Sequence, residues 1–232
     1  MGKSVTVIIP ALNEADNIVA SYEKTKEALR KLNLDHEIIL VNDGSEDKTG
    51  EIIEFLGSKD PKIKTIHHSS PKGMGVAYKT AIELSQKTSL LLMPGDDDLE
   101  TSELMKILEA QDDNDIVVPY IDNVKNRPVK RRFFSQLFTK LINFLFNMDL
   151  KYYNGPVLHL TENLKGLNIK SDRYTYQAEI LIKLVKLRKC SITHIGILSN
   201  ERRPGESKAV KPSNFIDVAR FLTRMFFEES RT

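Results

Sequence analysis

Apolar and polar positions along the first half of the chain alternate between two rhythms. Val5-Thr6-Val7-Ile8-Ile9 is a β-branched, almost unbroken apolar run, as a strand buried on both faces requires, and Pro10 ends it. Over residues 14–32, Ile18, Tyr22, Ala28 and Leu29 recur at helical spacing, with Asn13 placed as the N-cap. A second strand, 37–41, closes in the turn cluster Asn42-Asp43-Gly44-Ser45, and Ser45 is positioned to cap a helix built on Ile52, Ile53 and Leu56. Strand 63–66, helix 75–86 and the fully apolar strand 89–93 follow. A helix from 101 to 108, capped by Thr101, and strand 115–119 complete the series. Strands alternating with helices at this spacing predict an α/β fold with a mostly parallel sheet flanked by helices. Right-handed crossovers bring the loops 11–14, 42–45 and 96–98 to one edge, where open α/β sheets bind ligands.

Beyond residue 120 the pattern changes. A polar loop over 122–128 leads into Lys130-Arg131-Arg132, and 133–148 is strongly apolar, with a narrow polar stripe of Gln136, Thr139, Lys140, Asn143 and Asn147. That segment reads either as a buried core helix or as an interfacial helix lying on a membrane. Helix 174–187, strand 191–197, a charged loop over 201–208 and an amphipathic helix over 215–227 are expected after it.

Composition narrows the function classes. Of 232 residues, 41% are hydrophobic and 28% charged, the balance of a globular protein with a sizeable core. A net charge of +2 argues against a dedicated nucleic-acid binder. One cysteine, Cys190, excludes a disulfide framework and a thiolate-rich zinc site. No apolar run approaches the roughly 20 residues of a spanning helix. The N-terminus lacks the pattern of a signal peptide, and its match to a myristoylation motif is set aside because Thr6 already belongs to a strand. The expectation is a cytoplasmic protein.

Candidate chemistry sits in the loops. Three consecutive acids, Asp96-Asp97-Asp98, repel one another and call for a cation. Mg²⁺ or Mn²⁺ suits them, because such ions take one or two carboxylates together with substrate phosphates. A solvated turn capping the next helix is the plainer reading of the triplet alone. Asn13-Glu14, Asp43-Gly44-Ser45 and Lys72-Gly73-Met74-Gly75 are each ordinary turns in isolation, although the last could meet phosphate through Lys72 and its backbone amides.

Taken in order, these pieces resemble glycosyltransferase family 2, of the GT-A fold. The residues that carry the resemblance are Val7-Ile8-Ile9-Pro10-Ala11-Leu12-Asn13-Glu14, Val41 to Thr49, Lys72 to Ala77, and Asp96-Asp97-Asp98-Leu99. Glu201-Arg202-Arg203-Pro204-Gly205-Glu206-Ser207-Lys208 is similar to a loop of dolichol-phosphate mannose synthase and related polyprenyl-phosphate glycosyltransferases, and Tyr176-Gln177-Ala178-Glu179 resembles their acceptor-side helix. Processive relatives carry a motif ending in tryptophan; this chain has none, which points to one transfer per encounter. Tyr153-Asn154-Gly155 stands where the mannose synthases have Ser-Gly-Phe.

The resemblance implies a single domain, residues 1–120 binding a nucleotide-sugar and residues 121–232 an acceptor. It implies that Pro10, Ala11 and Glu14 line the nucleotide pocket and that Asp43 accepts a hydrogen bond from the base. Lys72 and Asp97 are further candidates on the nucleotide side. Asp96 and Asp98 would hold Mg²⁺ or Mn²⁺ on the donor diphosphate, with Asp97 and Asp98 as the alternative pair. Arg202, Ser207 and Lys208 would grip phosphate, and Arg131 or Arg132 would meet the acceptor phosphate. The resemblance implies a UDP- or GDP-linked sugar as donor, transferred with inversion. As acceptor it implies a lipid phosphate or, alternatively, a glycan hydroxyl, for which Asp172 or Glu179 would be base candidates. A nucleotide-sugar-binding subunit without turnover is the rival from another class. A lipid acceptor would be met by docking on the cytoplasmic membrane face or through a membrane-protein partner.

Overall fold

The computed structural model describes residues 3–111, 114–124, 128–199 and 212–229. Strands β1 (Ser4–Ala11), β2 (Asp35–Asn42), β3 (Ile63–His67) and β4 (Ser89–Leu92) alternate with helices α1 (Ile18–Lys31), α2 (Thr49–Lys59) and α3 (Met74–Leu84). Helix α4 (Thr101–Glu109), β5 (Ile116–Ile121) and α5 (Val129–Phe146) follow. The chain then forms β6 (Leu158–Leu160), α6 (Thr161–Leu164), α7 (Tyr176–Leu187), β7 (Ile192–Ile197) and α8 (Pro212–Glu229). The seven strands form one sheet in the order β3-β2-β1-β4-β6-β5-β7. β1 pairs in parallel with β2 and β4, β2 with β3, and β5 with β7. β6 runs antiparallel to both β4 and β5.

Side chains alternate across this sheet and build a core on each face. Ile8, Ile39, Leu90 and Leu92 join Tyr78, Phe138, Ile142, Leu181 and Phe221 on one side. Val7, Ile9, Ile38, Leu40 and Leu91 join Ile18, Leu29, Ile53 and Leu104 on the other. Burial on both faces is why these strands read as continuous apolar runs.

The structure departs from the pattern-based expectations at the helix starts. Asn13 does not cap a helix: it takes the left-handed conformation, φ 56°, and α1 begins at Ile18. The residue 13–15 amides instead donate across to the loop after β2 and the start of α2, to Ser45 Oγ (3.0 Å), Thr49 Oγ1 (2.9 Å) and Asp47 Oδ2 (3.2 Å). Ser45 is thereby used as a bridge rather than as the cap of α2. Thr101 lies within the first turn of α4, where its hydroxyl donates to Glu27 (3.1 Å). β6 was not foreseen, because three residues carry no periodicity.

Helix α5 satisfies parts of both readings of its sequence. Phe138, Ile142 and Phe146 are buried, while Phe133 is 59% and Phe144 83% exposed, with exposed Leu137 between them. No described helix is long and apolar enough to cross a membrane.

Candidate active site

The loops that follow β1, β2 and β4 meet around one cavity of about 410 Å³. Pro10, Ala11 and Glu14 line it from β1, Asp43 from β2, and Asp96 and Asp98 from the acidic elbow after β4. Residues expected from sequence to act together thus share one wall.

Gly95 sets the approach of the elbow. A Cβ there would stand 2.7 Å from the Pro10 carbonyl oxygen, so only glycine lets the acids rest on the end of β1. Asp97, at φ 59°, turns away. Its amide donates to Ser21 Oγ (3.0 Å) and its carboxylate pairs with Lys24 (2.8 Å) on α1. Burial pulls the Lys24 ammonium down, but the bonds from Asp97 and Glu100 more than offset it and hold its pKa above the usual value. Asp97 is therefore not a lining residue, and the pair facing the cavity is Asp96 with Asp98.

Asp43 is buried and already engaged. Its carboxylate accepts the backbone N–H of Lys72 (2.9 Å) and Gly73 (2.8 Å) and lies 2.7 Å from His68 Nδ1. It pins the 72–75 loop, whose Gly73 sits at φ 101° where a Cβ would meet the Asp172 carbonyl oxygen at 2.5 Å. The Lys72 side chain is exposed and not part of the lining. Glu14 reaches the wall with its carboxylate bonded by Asn17 Nδ2 (2.8 Å).

On the far side, Arg131 of α5 lines the cavity and Arg132 does not. Arg202, Ser207 and Lys208 lie outside the described residues. Glu179, a base candidate from sequence, is fully buried and unavailable. It accepts from the Lys170 and Ser171 amides (3.0 and 2.8 Å), Lys183 (2.6 Å) and Arg224 (2.6 Å). Burial favours its neutral form, yet these donors hold its pKa below the usual carboxylate range. Asp172 is exposed, paired with Lys79 and away from the lining.

Sequence reasoning missed several lining residues: Tyr152, Arg173, Tyr174, Gln177 as a wall residue, and Ser199. Ser199 Oγ lies 3.1 Å from Asp98 Oδ2. It is held by Asn123 through both backbone groups, and Leu198 N–H is bound by Glu103 (2.9 Å). Its place just after a strand parallel to β5 is the signal that could have found it. Arg173 and Tyr174 lie in irregular chain between α6 and α7, where no pattern marks them.

Among the described residues, no group of three or more His, Cys, Asp or Glu is arranged to hold a metal ion. Asp96 and Asp98 as a pair still fit a hard divalent cation that completes its shell with substrate phosphates and water.

A mostly parallel α/β sheet packed on both faces, with polar loops and acids after its central strands, is the fold the chain shares with GT-A glycosyltransferases. Residues 6–164 match the family model "Glycosyl transferase family 2", and the chain belongs to that family. It is 31% identical over 229 residues to the dolichol-phosphate mannosyltransferase of Pyrococcus furiosus, covering 95% of this chain and 63% of that protein. It is 23% identical over 215 residues to the undecaprenyl-phosphate mannosyltransferase of Micrococcus luteus, covering 88% and 86% of the two chains. Other curated relatives are much longer, and the chain spans only 45% of one and 31% of another. Among solved structures, glucosyl-3-phosphoglycerate synthase from Mycobacterium tuberculosis, in complex with Mn²⁺, UDP and glucosyl-3-phosphoglycerate, superposes with a TM-score of 0.70 at 17% identity. That match covers 96% of this chain and 80% of the other.

Proposed function

We propose that the protein transfers one hexose per encounter, with inversion, from a UDP- or GDP-linked sugar to a polyprenyl phosphate. The observation that carries this reading is the shared cavity, lined by Asp43 after β2, Glu14 after β1, Asp96 and Asp98 after β4, and Arg131 of α5, which follows β5 farther along the sheet. The relatives named for polyprenyl-phosphate mannosyl transfer support the acceptor class. The Mn²⁺ and UDP of the mycobacterial neighbour support the donor chemistry.

In this reading Pro10, Ala11, Glu14 and Asp43 receive the nucleoside, and Asp96 with Asp98 hold Mg²⁺ or Mn²⁺ against the diphosphate. Bound there, such an ion would supply Lewis-acid stabilisation to the departing nucleoside diphosphate. Arg131 receives the acceptor phosphate, and Arg202, Ser207 and Lys208 add further phosphate contacts. A lipid phosphate is anionic near neutral pH, so attack on the anomeric carbon needs no general base. The burial of Glu179 and the external pairing of Asp172 accord with that. The lipid is met at a membrane surface, where exposed Phe133, Leu137 and Phe144, spaced along one face of α5, stand beside Lys130 and Lys140. Residues 1–120 act as the donor half and 121–232 as the acceptor half, with the transferred sugar lying between them.

The test is a thermal-shift screen of UDP- and GDP-sugars with and without Mn²⁺, followed by turnover with a polyprenyl phosphate. Donor-dependent stabilisation and glycolipid formation support the proposal. Turnover only with hydroxyl acceptors, or binding without turnover, replaces the acceptor assignment or the enzymatic one.

A further inference from the structure

The sheet order sets β2, β1, β4 and β6 side by side. The cavity wall accordingly runs from Asp43 through Ala11 to the acids after β4, and then to the elements packed on β6. Gln177, in the first turn of α7, lines the cavity on this far side and is 2% exposed. Its Nε2 lies 2.9 Å from Nε2 of His159, the central residue of β6. Burial pushes the His159 pKa down to about 3, so the ring is neutral; the amide nitrogen facing it can only donate, which makes Nε2 the acceptor and leaves the ring proton on Nδ1. One end of the Gln177 amide is thus fixed. The other, Oε1, is buried with no partner, as is His159 Nδ1.

Gln177 lines the cavity, and its carbonyl oxygen, buried without a partner, is unfavourable unless a donor reaches it. An oxygen that only accepts selects a group with O–H or N–H bonds and offers nothing to a phosphate dianion. The nucleoside belongs at the Asp43 end and the diphosphate at Asp96 and Asp98, so the next group along the wall is the sugar. We propose that Gln177 is a specificity-determining residue whose side-chain carbonyl accepts a hydrogen bond from a hydroxyl of the transferred sugar, with His159 as the positioning residue that fixes the amide. This assignment rests on the donor reading above.

The test compares UDP, GDP, UDP-glucose and GDP-mannose, each with Mn²⁺, by calorimetry on the unaltered protein and on Gln177→Met, which keeps the volume and removes the carbonyl. The expected result is binding of the nucleotide-sugar weakened about tenfold, with the matching nucleoside diphosphate within twofold. His159→Leu, which releases the amide, gives a smaller loss in the same direction. Monodeoxy forms of the donor sharpen the readout. One hydroxyl costs about tenfold in the unaltered protein and nothing further in Gln177→Met, a coupling that a merely structural role does not produce. If Gln177→Met does not fold, Gln177→Asn is measured in the same way. Equal weakening of nucleotide and nucleotide-sugar, or no weakening of either, overturns the assignment alone. Failure of the unaltered protein to bind any of the nucleotide-sugars overturns the functional reading, and this one with it.

Discussion

The Lys24 ammonium stands 2.8 Å from the Asp97 carboxylate, and that pair sorts three consecutive acids into different tasks. The middle residue is tied to α1, while its neighbours Asp96 and Asp98 line the cavity. For Asp98→Ala the expected outcome is a loss of turnover of about 100-fold or more with an unchanged melting temperature. Asp97→Asn removes a partly exposed ion pair, so it costs at most about 1 kcal/mol of stability and only a few-fold in rate. Steady-state kinetics at saturating Mn²⁺ together with thermal melts distinguish the two. Equal effects of both substitutions would remove the division of labour.

Arg131 and Arg132 are neighbours in sequence, but only Arg131 reaches the cavity. Arg131→Ala should raise the KM for polyprenyl phosphate about tenfold or more, since a charge-assisted contact to phosphate is lost. Arg132→Ala should leave it within about twofold. Acceptor titrations at fixed donor concentration check this, and a larger effect at Arg132 refutes the assignment.

Glu179 is a buried anchor that ties α7 to α8 through Arg224 and to the preceding loop through the Lys170 and Ser171 amides. Replacing it with alanine leaves the buried Lys183 ammonium and two amides short of their acceptor. The expected cost is about 3–5 kcal/mol in urea denaturation. Any activity loss then follows the fraction unfolded, whereas a stable but inactive variant would return Glu179 to the list of base candidates.

Acid should weaken the fold before its carboxylates titrate. His159 stays neutral down to about pH 3 in the folded chain, whereas in the unfolded chain it takes a proton near pH 6.5. The unfolded state thus binds more protons over that interval, and stability is complete above about pH 6.5 and falls toward pH 3. The slope from this one group is up to about 1.4 kcal/mol per pH unit. Burial, reinforced by Lys151, lowers His194 in the same direction. Chemical denaturation between about pH 6.5 and 4.5 should show the decline, reduced in His159→Phe. An identical slope in the variant rules this out.

The amino-acid sequence by itself determined the strands β1, β2, β3 and β4 and the order of the loops that carry Glu14, Asp43 and Asp96 to one edge. A strand buried on both faces must be apolar throughout, and that run is visible without any neighbour. The apolar spacing of the first helices was equally local. Tertiary structure alone decided where the polar groups went. Asn13 gave up its cap for a bond to Ser45, 32 residues away, and Asp98 met Ser199, 101 residues away. β6 exists because β4 and β5 offer edges on either side of it, not because Leu158-His159-Leu160 announces a strand. Glu179 reads as a surface acid until Lys183 and Arg224 close over it. Apolar patterning is a property of consecutive residues, whereas a hydrogen bond or ion pair depends on a partner that only the folded chain brings near.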